Sequence, residues 1–298
     1  MSVSTRPGSR PMQAPFTTAS NVFNGLNLIF TEGNQHRGSH TGNFRNTIFN
    51  TQLTPFGVKF NILTLNKVEC AVLDFLRRLI IKAFNVSDFR VLDREWVLAQ
   101  ANAVLGDSEV AAVKLGMLGS TAMVDTVVEL LQAHPHLPVV CDPVLRAGGG
   151  GSLGKDEVGY AMRERLFPLS LIATPNLPEA RILAELPEGT ADECAEKLLP
   201  YIKHLLITGG HGDEHEVHNR LYSRDGTHQT FTCQRLPGSY HGSGCTLASA
   251  LAGRLAQGEG LVSAVQSALN YTWRTLRDAE QLGQGQFVPR RLPLDFCS

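Results

Sequence analysis

A chain of 298 residues that is 43% hydrophobic and 18% charged can bury a large core as one α/β unit. Its formal net charge of −1 argues against broad electrostatic binding to nucleic acid or to a membrane surface. No apolar run approaches the roughly 20 residues of a membrane span and no charged start precedes an apolar signal segment. The six cysteines are scattered without CxxC pairs, which points to reduced thiols in a cytoplasmic compartment and not to a disulfide framework or a zinc site.

Composition changes near residue 68. Residues 1–68 hold nine of the fourteen Asn and seven of the fourteen Phe, with Glu32 their only acid. Residues 1–20, rich in Pro, Ser and Thr, read as a disordered tail, and residues 21–298 as a single domain with an atypical 21–68 stretch. Within that stretch Leu28–Phe30 and Asn61–Leu65 are short strand candidates. Val68, Val72, Phe75, Leu76 and Leu79 are spaced for one face of a helix.

From there strands and helices alternate. Phe89–Leu92 reads as a short strand, and Asp93 as the cap of a helix over Arg94–Leu105. Val110–Lys114 is a buried-strand candidate ended by Gly116, with Met117 in the next turn and a helix over Thr121–Ala133. Leu137–Cys141 is another strand, stopped by Asp142-Pro143. A glycine-rich loop and a helix over Asp156–Leu166 follow. Leu171–Thr174 is a strand, and Pro175–Glu179 opens a short helix. Thr190–Tyr201 is helical, and His204–Thr208 is a strand ending in Gly209-Gly210. Val217–Tyr222 and Thr230–Arg235 flank Asp225-Gly226 as a hairpin. Helices over Ser243–Leu255 and Leu261–Ala279 finish the fold.

This alternation predicts a mostly parallel sheet covered by helices on both faces, whose ligands sit beyond the carboxyl ends of the strands. Met117, Asp142, Asn176, Glu179, Thr208–Gly210 and Gly242–Cys245 all fall at such ends. In HGSGCTLASALAGRLA (241–256) a glycine-rich turn feeds a helix whose free N–H groups suit an anion. A thiol at Cys245 there feels the positive end of the helix dipole, which favours its thiolate; the bland alternative is a small residue in a packed helix. Asp142 and Glu179 together suit a hydrated magnesium ion that shares phosphate oxygens, although each alone reads as a turn or helix-start residue. Thr208-Gly209-Gly210 suits close contact with a nucleotide phosphate, or is an ordinary strand exit. GGGSLGK (149–155) nearly matches a P-loop, but Asp156 replaces the Ser or Thr that would hold magnesium. It reads as a loop able to approach or cover a ligand. His211, His215 and His218 read as solvated and are assigned no metal.

Five segments, VAAVKLGMLGS, VVCDPVLRAGGGGSL, IATPNLPEARIL, LLITGGH and GSYHGSGCTLASAL, resemble in order and spacing the hydroxymethylpyrimidine/phosphomethylpyrimidine kinases of thiamine biosynthesis, within the ribokinase-like superfamily. The resemblance covers about residues 93–293. Most of that superfamily ends its GxGD motif in Asp, whereas the pyrimidine kinases typically have GTGCT, and this chain has Gly242-Ser243-Gly244-Cys245-Thr246. The resemblance implies a ribokinase-like fold and ATP-dependent phosphorylation of 4-amino-5-hydroxymethyl-2-methylpyrimidine and then of its monophosphate. It implies Cys245 as the catalytic base and the amides of Gly242, Ser243, Gly244 and Cys245 as an anion hole. Asp142, Asn176 and Glu179 would arrange magnesium and ATP, with Asp142 and Glu179 as metal ligands. Thr208, Gly209 and Gly210 would contact ATP, and Met117 and Val144 the pyrimidine. Relatives commonly form dimers, so a homodimer is the expected assembly.

The family's first loop, of the type AGSDPSGGAGIQAD, has no counterpart in TEGNQHRGSHTGN (31–43), and no Gln can be placed for the ring contact. Strong divergence, a disrupted reading frame and loss of pyrimidine binding all remain open accounts. The alternatives to pyrimidine phosphorylation are therefore a pyridoxal-type kinase and a catalytically impaired nucleotide-binding relative.

Overall fold

The computed structural model describes residues 92–145, 156–210, 215–281 and 285–291 in full, and the backbone alone of six strands between residues 26 and 89. Those strands are β1 (Leu26–Phe30), β2 (Asn50–Thr51), β3 (Lys59–Leu65), β4 (Val68–Asp74), β5 (Leu79–Lys82) and β6 (Asn85–Phe89). Of the helix predicted from Val68 to Leu79, Val68–Asp74 and Leu79 are strand instead, and residues 75–78 lie outside the described residues. Val68–Asp74 pairs antiparallel with Lys59–Leu65, from Lys59↔Asp74 to Leu65↔Val68. Two residues separate the strands, a hairpin spacing, and β-branched Val68 and Val72 favour the extended chain. The strand predicted over Phe89–Leu92 coincides with β6 only at Phe89, and residues 90–91 lie outside the described residues.

The main sheet has the order β1-β7-β8-β9-β10-β11-β12. Its centre is parallel: β7 (Val110–Leu115), β8 (Val139–Cys141), β9 (Ile172–Ala173) and β10 (His204–Ile207). β1 adds antiparallel to β7, and the hairpin β11 (Glu216–Ser223) and β12 (His228–Gln234) adds antiparallel to β10. Helices cover both faces, as the alternation predicts. On one face lie α1 (Arg94–Asp107), α2 (Thr121–Ala133), α3 (Asp156–Ala161), α4 (Leu177–Ala184) and α5 (Ala191–Leu198), packed on Val113, Leu115, Cys141, Ala173, Leu205 and Ile207. On the other lie α6 (Ser243–Ala256) and α7 (Leu261–Arg277), packed on Ala112, Val140, Ile172, Leu206, Leu221 and Phe231. Successive strand side chains point to opposite faces, and these two sets interleave with period two.

Local chemistry sets the helix ends. α5 starts with a capping box: the Thr190 side chain accepts from Glu193 N–H while Glu193 accepts from Thr190 N–H. Asp93 occupies the start of α1, but its side chain makes no cap; only its carbonyl takes the Val97 N–H, at 3.2 Å. The helix predicted over Asp156–Leu166 is regular only to Ala161. It widens to a π-turn over Met162–Leu166 and tightens to a 3₁₀ turn over Phe167–Leu169. Pro168 is the physical reason, since its ring has no N–H and clashes with the carbonyl four residues back. No helix among the described residues is long and apolar enough to cross a membrane.

Candidate active site

Because side chains alternate along a strand, the residue two beyond an α6-facing one faces α6 as well. That rule carries Ala112 to Lys114, Val140 to Asp142, Ile172 to Thr174 and Leu206 to Thr208. These four polar residues form a row across the carboxyl ends of β7 to β10, beneath the start of α6. Gly242 holds that start in a left-handed conformation (φ 84°), which glycine adopts without strain. Among the described residues no side chain caps α6, so its first amides are left for a ligand. The helix is held from outside: Arg291 Nε donates to Thr246 Oγ1 at 3.0 Å, and Thr246 Oγ1 donates to the Gly242 carbonyl at 2.8 Å.

Asp142 is 3% exposed and lies against this turn: the place a Gly244 Cβ would take is 4.0 Å from Asp142 Oδ1. Its other oxygen, Oδ2, is 3.2 Å from Lys114 Nζ, a pair buried on both sides. The Asp142 carboxylate also accepts from the Cys245 thiol. Cys245 is only partly shielded as a residue, yet its thiol is pushed up to about 12, first by burial and then by Asp142, with Lys114 and Arg291 pulling the other way. The thiolate expected from the helix dipole is thus not the resting form. Loss of hydration and a neighbouring carboxylate outweigh the partial charge of the helix end.

Glu179 sits across from Asp142 in a capping box. Its Oε2 accepts from Asn176 N–H at 3.0 Å, its Oε1 from Leu145 N–H at 3.4 Å, and its own N–H donates to Asn176 Oδ1 at 2.8 Å. Burial, and then the charge of Asp142, push Glu179 up to about 8. Asn176 also bridges to Thr208 at the end of β10, where Thr208 N–H donates to the Pro175 carbonyl at 2.9 Å. Gly209 is required by packing, since a Cβ there would stand 2.5 Å from the His218 carbonyl oxygen. Its N–H donates to Asn219 Oδ1, and Arg235 Nη1 donates to the Gly210 carbonyl.

The structure therefore gathers Asp142, Gly242–Cys245, Asn176, Glu179 and the 208–210 turn at one end of the sheet. Met117 is fully buried and Val144 half-buried, just past β7 and β8. Residues 31–43, the glycine-rich loop 146–155 and His211 lie outside the described residues. Sequence reading missed three residues: Lys114, Thr174 and Arg291. Lys114 did leave a signal, being a single charge inside the otherwise apolar run Val110–Leu115, where a lysine is seldom buried without a partner. Arg291 left none.

A largely parallel sheet with a glycine-held helix start above a buried acid defines a ribokinase-like α/β phosphotransferase. Solved structures agree: a Bacillus subtilis pyridoxal kinase in complex with ADP superposes with TM-score 0.63 at 26% identity, covering 70% of this chain and 80% of that one. A Clostridium difficile phosphomethylpyrimidine kinase gives 0.55 at 28%, covering 65% and 80%. The chain belongs to the phosphomethylpyrimidine kinase family, whose pattern it matches over residues 57–290. Among relatives, the hydroxymethylpyrimidine/phosphomethylpyrimidine kinase of Haemophilus influenzae is 32% identical over 208 residues, 67% of this chain and 77% of its own. The family match starts at residue 57, upstream of the five matching segments and of the composition break at 68.

Proposed function

We infer that this chain transfers a phosphoryl group from ATP to the hydroxymethyl oxygen of 4-amino-5-hydroxymethyl-2-methylpyrimidine, and then a second to the resulting monophosphate. The observation that carries it is the uncapped helix start Gly242–Cys245 standing over Asp142, in a chain of this family. Phosphoryl transfer needs positioning and charge stabilisation more than covalent help. The amides of Gly242 to Cys245 are placed to stabilise charge on the transferring group. Cys245, in its thiolate form, accepts the proton of the substrate hydroxyl, with the Arg291 charge favouring that form. Thr208, Gly209 and Gly210 face the nucleotide, and Met117 and Val144 the ring.

Magnesium fits the donor set. Two buried carboxylates, one of them raised first by burial and then by the other's charge, suit a hard cation. Among the described residues no cluster of three or more His, Cys, Asp or Glu is present. One or two carboxylates completed by water and phosphate oxygens is the usual magnesium arrangement. Asp142 and Glu179 would hold it, with Asn176 fixing Glu179, and the ion would neutralise charge developing on the phosphates.

A second reading is favoured by the closer superposition on pyridoxal kinase: the alcohol acted on is pyridoxal. The test is the purified chain with Mg-ATP and each alcohol, followed by mass spectrometry. Mono- and pyrophosphorylated pyrimidine is the expected outcome; faster phosphorylation of pyridoxal overturns it. Cys245→Ala should lower turnover by on the order of 10²- to 10⁴-fold while ADP still raises the melting temperature. Unchanged turnover removes the thiol from the mechanism.

A further inference from the structure

Lys114 is fully buried in a strand whose other buried residues are apolar. Burying an ammonium group costs several kcal/mol, on the order of what its ion pair returns, and apolar replacements of such pairs are often neutral or stabilising. Stability alone therefore gives no reason for a lysine here. Its geometry does. Lys114 and Asp142 lie on neighbouring parallel strands, on the same sheet face, and Nζ takes one carboxylate oxygen, Oδ2, at 3.2 Å. The other oxygen, Oδ1, is the one beside Gly244. From the next strand Thr174, 4% exposed, offers a hydroxyl that makes no hydrogen bond to Asp142 or to any other described residue. Lys114 is thus the cation that holds this carboxylate, from the oxygen turned away from the helix start.

We propose that Lys114 is a positioning residue for phosphoryl transfer, fixing Asp142 so that Oδ1 faces the Gly242–Cys245 helix start. Shut away from solvent, Lys114 acts through Asp142 and not on substrate. The proposal rests on the kinase reading above. A carboxylate free to rotate would lose that placement, and misplacement by about 1 Å can cost on the order of 10²-fold in rate.

The experiment is a double-mutant cycle on the full chain: wild type, Lys114→Met, Asp142→Asn and the double variant, each measured for kcat, KM for ATP and ADP affinity by calorimetry. Lys114→Met should lower kcat by on the order of 10²-fold with ADP affinity nearly unchanged, and the double variant should turn over no more slowly than Asp142→Asn alone. Lys114→Gln, whose amide can still donate to Oδ2, should recover part of the lost kcat, and it serves if the methionine variant does not fold. Additive losses in the cycle overturn the proposal, as does a fall in kcat matched by an equal fall in ADP affinity, or a wild-type kcat in either variant. Absence of product from the wild-type chain overturns the kinase reading and this proposal with it. Product from the wild type with additive losses overturns the proposal alone.

Discussion

His241 shows how one residue next to the α6 start couples pH to stability. Burial lowers its pKa below the ordinary histidine value, Gln286 opposes that by hydrogen bonding, and the Arg291 charge adds to the lowering. Its Nε2 is buried without a hydrogen-bond partner among the described residues, so a proton there would add charge beside a cation and away from water. The unfolded chain binds that proton more readily than the folded one. The stability contributed by neutral His241 is therefore complete above about 6.5 and is lost as pH falls from there toward the lower folded value. His241→Asn should show a smaller drop in melting temperature between pH 7.5 and 5.5 than the wild type; equal drops would exclude His241 as a source. Cys245 illustrates the opposite balance, with burial and Asp142 keeping it protonated where helix position alone predicts a thiolate.

Among the elements, the turn after β10 is the most tightly constrained. Gly209 carries no side chain because the β11 backbone at His218 occupies the space, and its N–H is tied to Asn219 on the same strand. The hairpin and the turn therefore fix each other. Gly209→Ala should cost roughly 1–3 kcal/mol in urea unfolding, as other overpacked sites do, and should reduce the rise in melting temperature produced by ADP. Stability at the wild-type level would show that the strand yields. α6 and α7 are anchored to this hairpin from the other side, through the Trp273 Nε1 donation to the Gln234 carbonyl. Arg291 adds a second tie, with the Tyr271 hydroxyl donating to its carbonyl and its own guanidinium reaching Thr246. The α6 start is thus held by elements distant in sequence.

At the scale of the whole molecule, one sheet separates two apolar layers, and every central strand contributes residues to both. Neither layer is complete without the strands, so the two should unfold together. Leu183→Ala in the α1–α5 layer and Leu251→Ala in the α6–α7 layer, both fully buried, should each cost about 2–5 kcal/mol. The losses should add in the double variant, with circular dichroism and ADP binding lost in one transition. Two separate transitions would mean that the layers are independent units.

The central and C-terminal chain was legible because its signals are local. Glycines and capping residues end elements, period-two apolar runs mark buried strands, and Thr121–Ala133 forms a helix with the expected bounds. Gly242–Cys245, Asp142 and Glu179 stood out as unusual residues at strand ends, and the structure brings them together. What failed depended on partners far along the chain. The 68–79 stretch carries helical spacing, yet antiparallel pairing with residues 59–65 makes Val68–Asp74 a strand. Cys245 has the sequence context of a thiolate, but its protonation is set by burial and by a carboxylate from β8. Lys114, Thr174 and Arg291 acquire meaning only when neighbouring strands and the segment 285–291 are brought against α6. Sequence determined the kind of element and the order of the sites, because backbone preference and motif spacing are read residue by residue. Only the tertiary structure decided charge states and the orientation of Asp142, because dehydration and Coulomb interaction depend on distance in space.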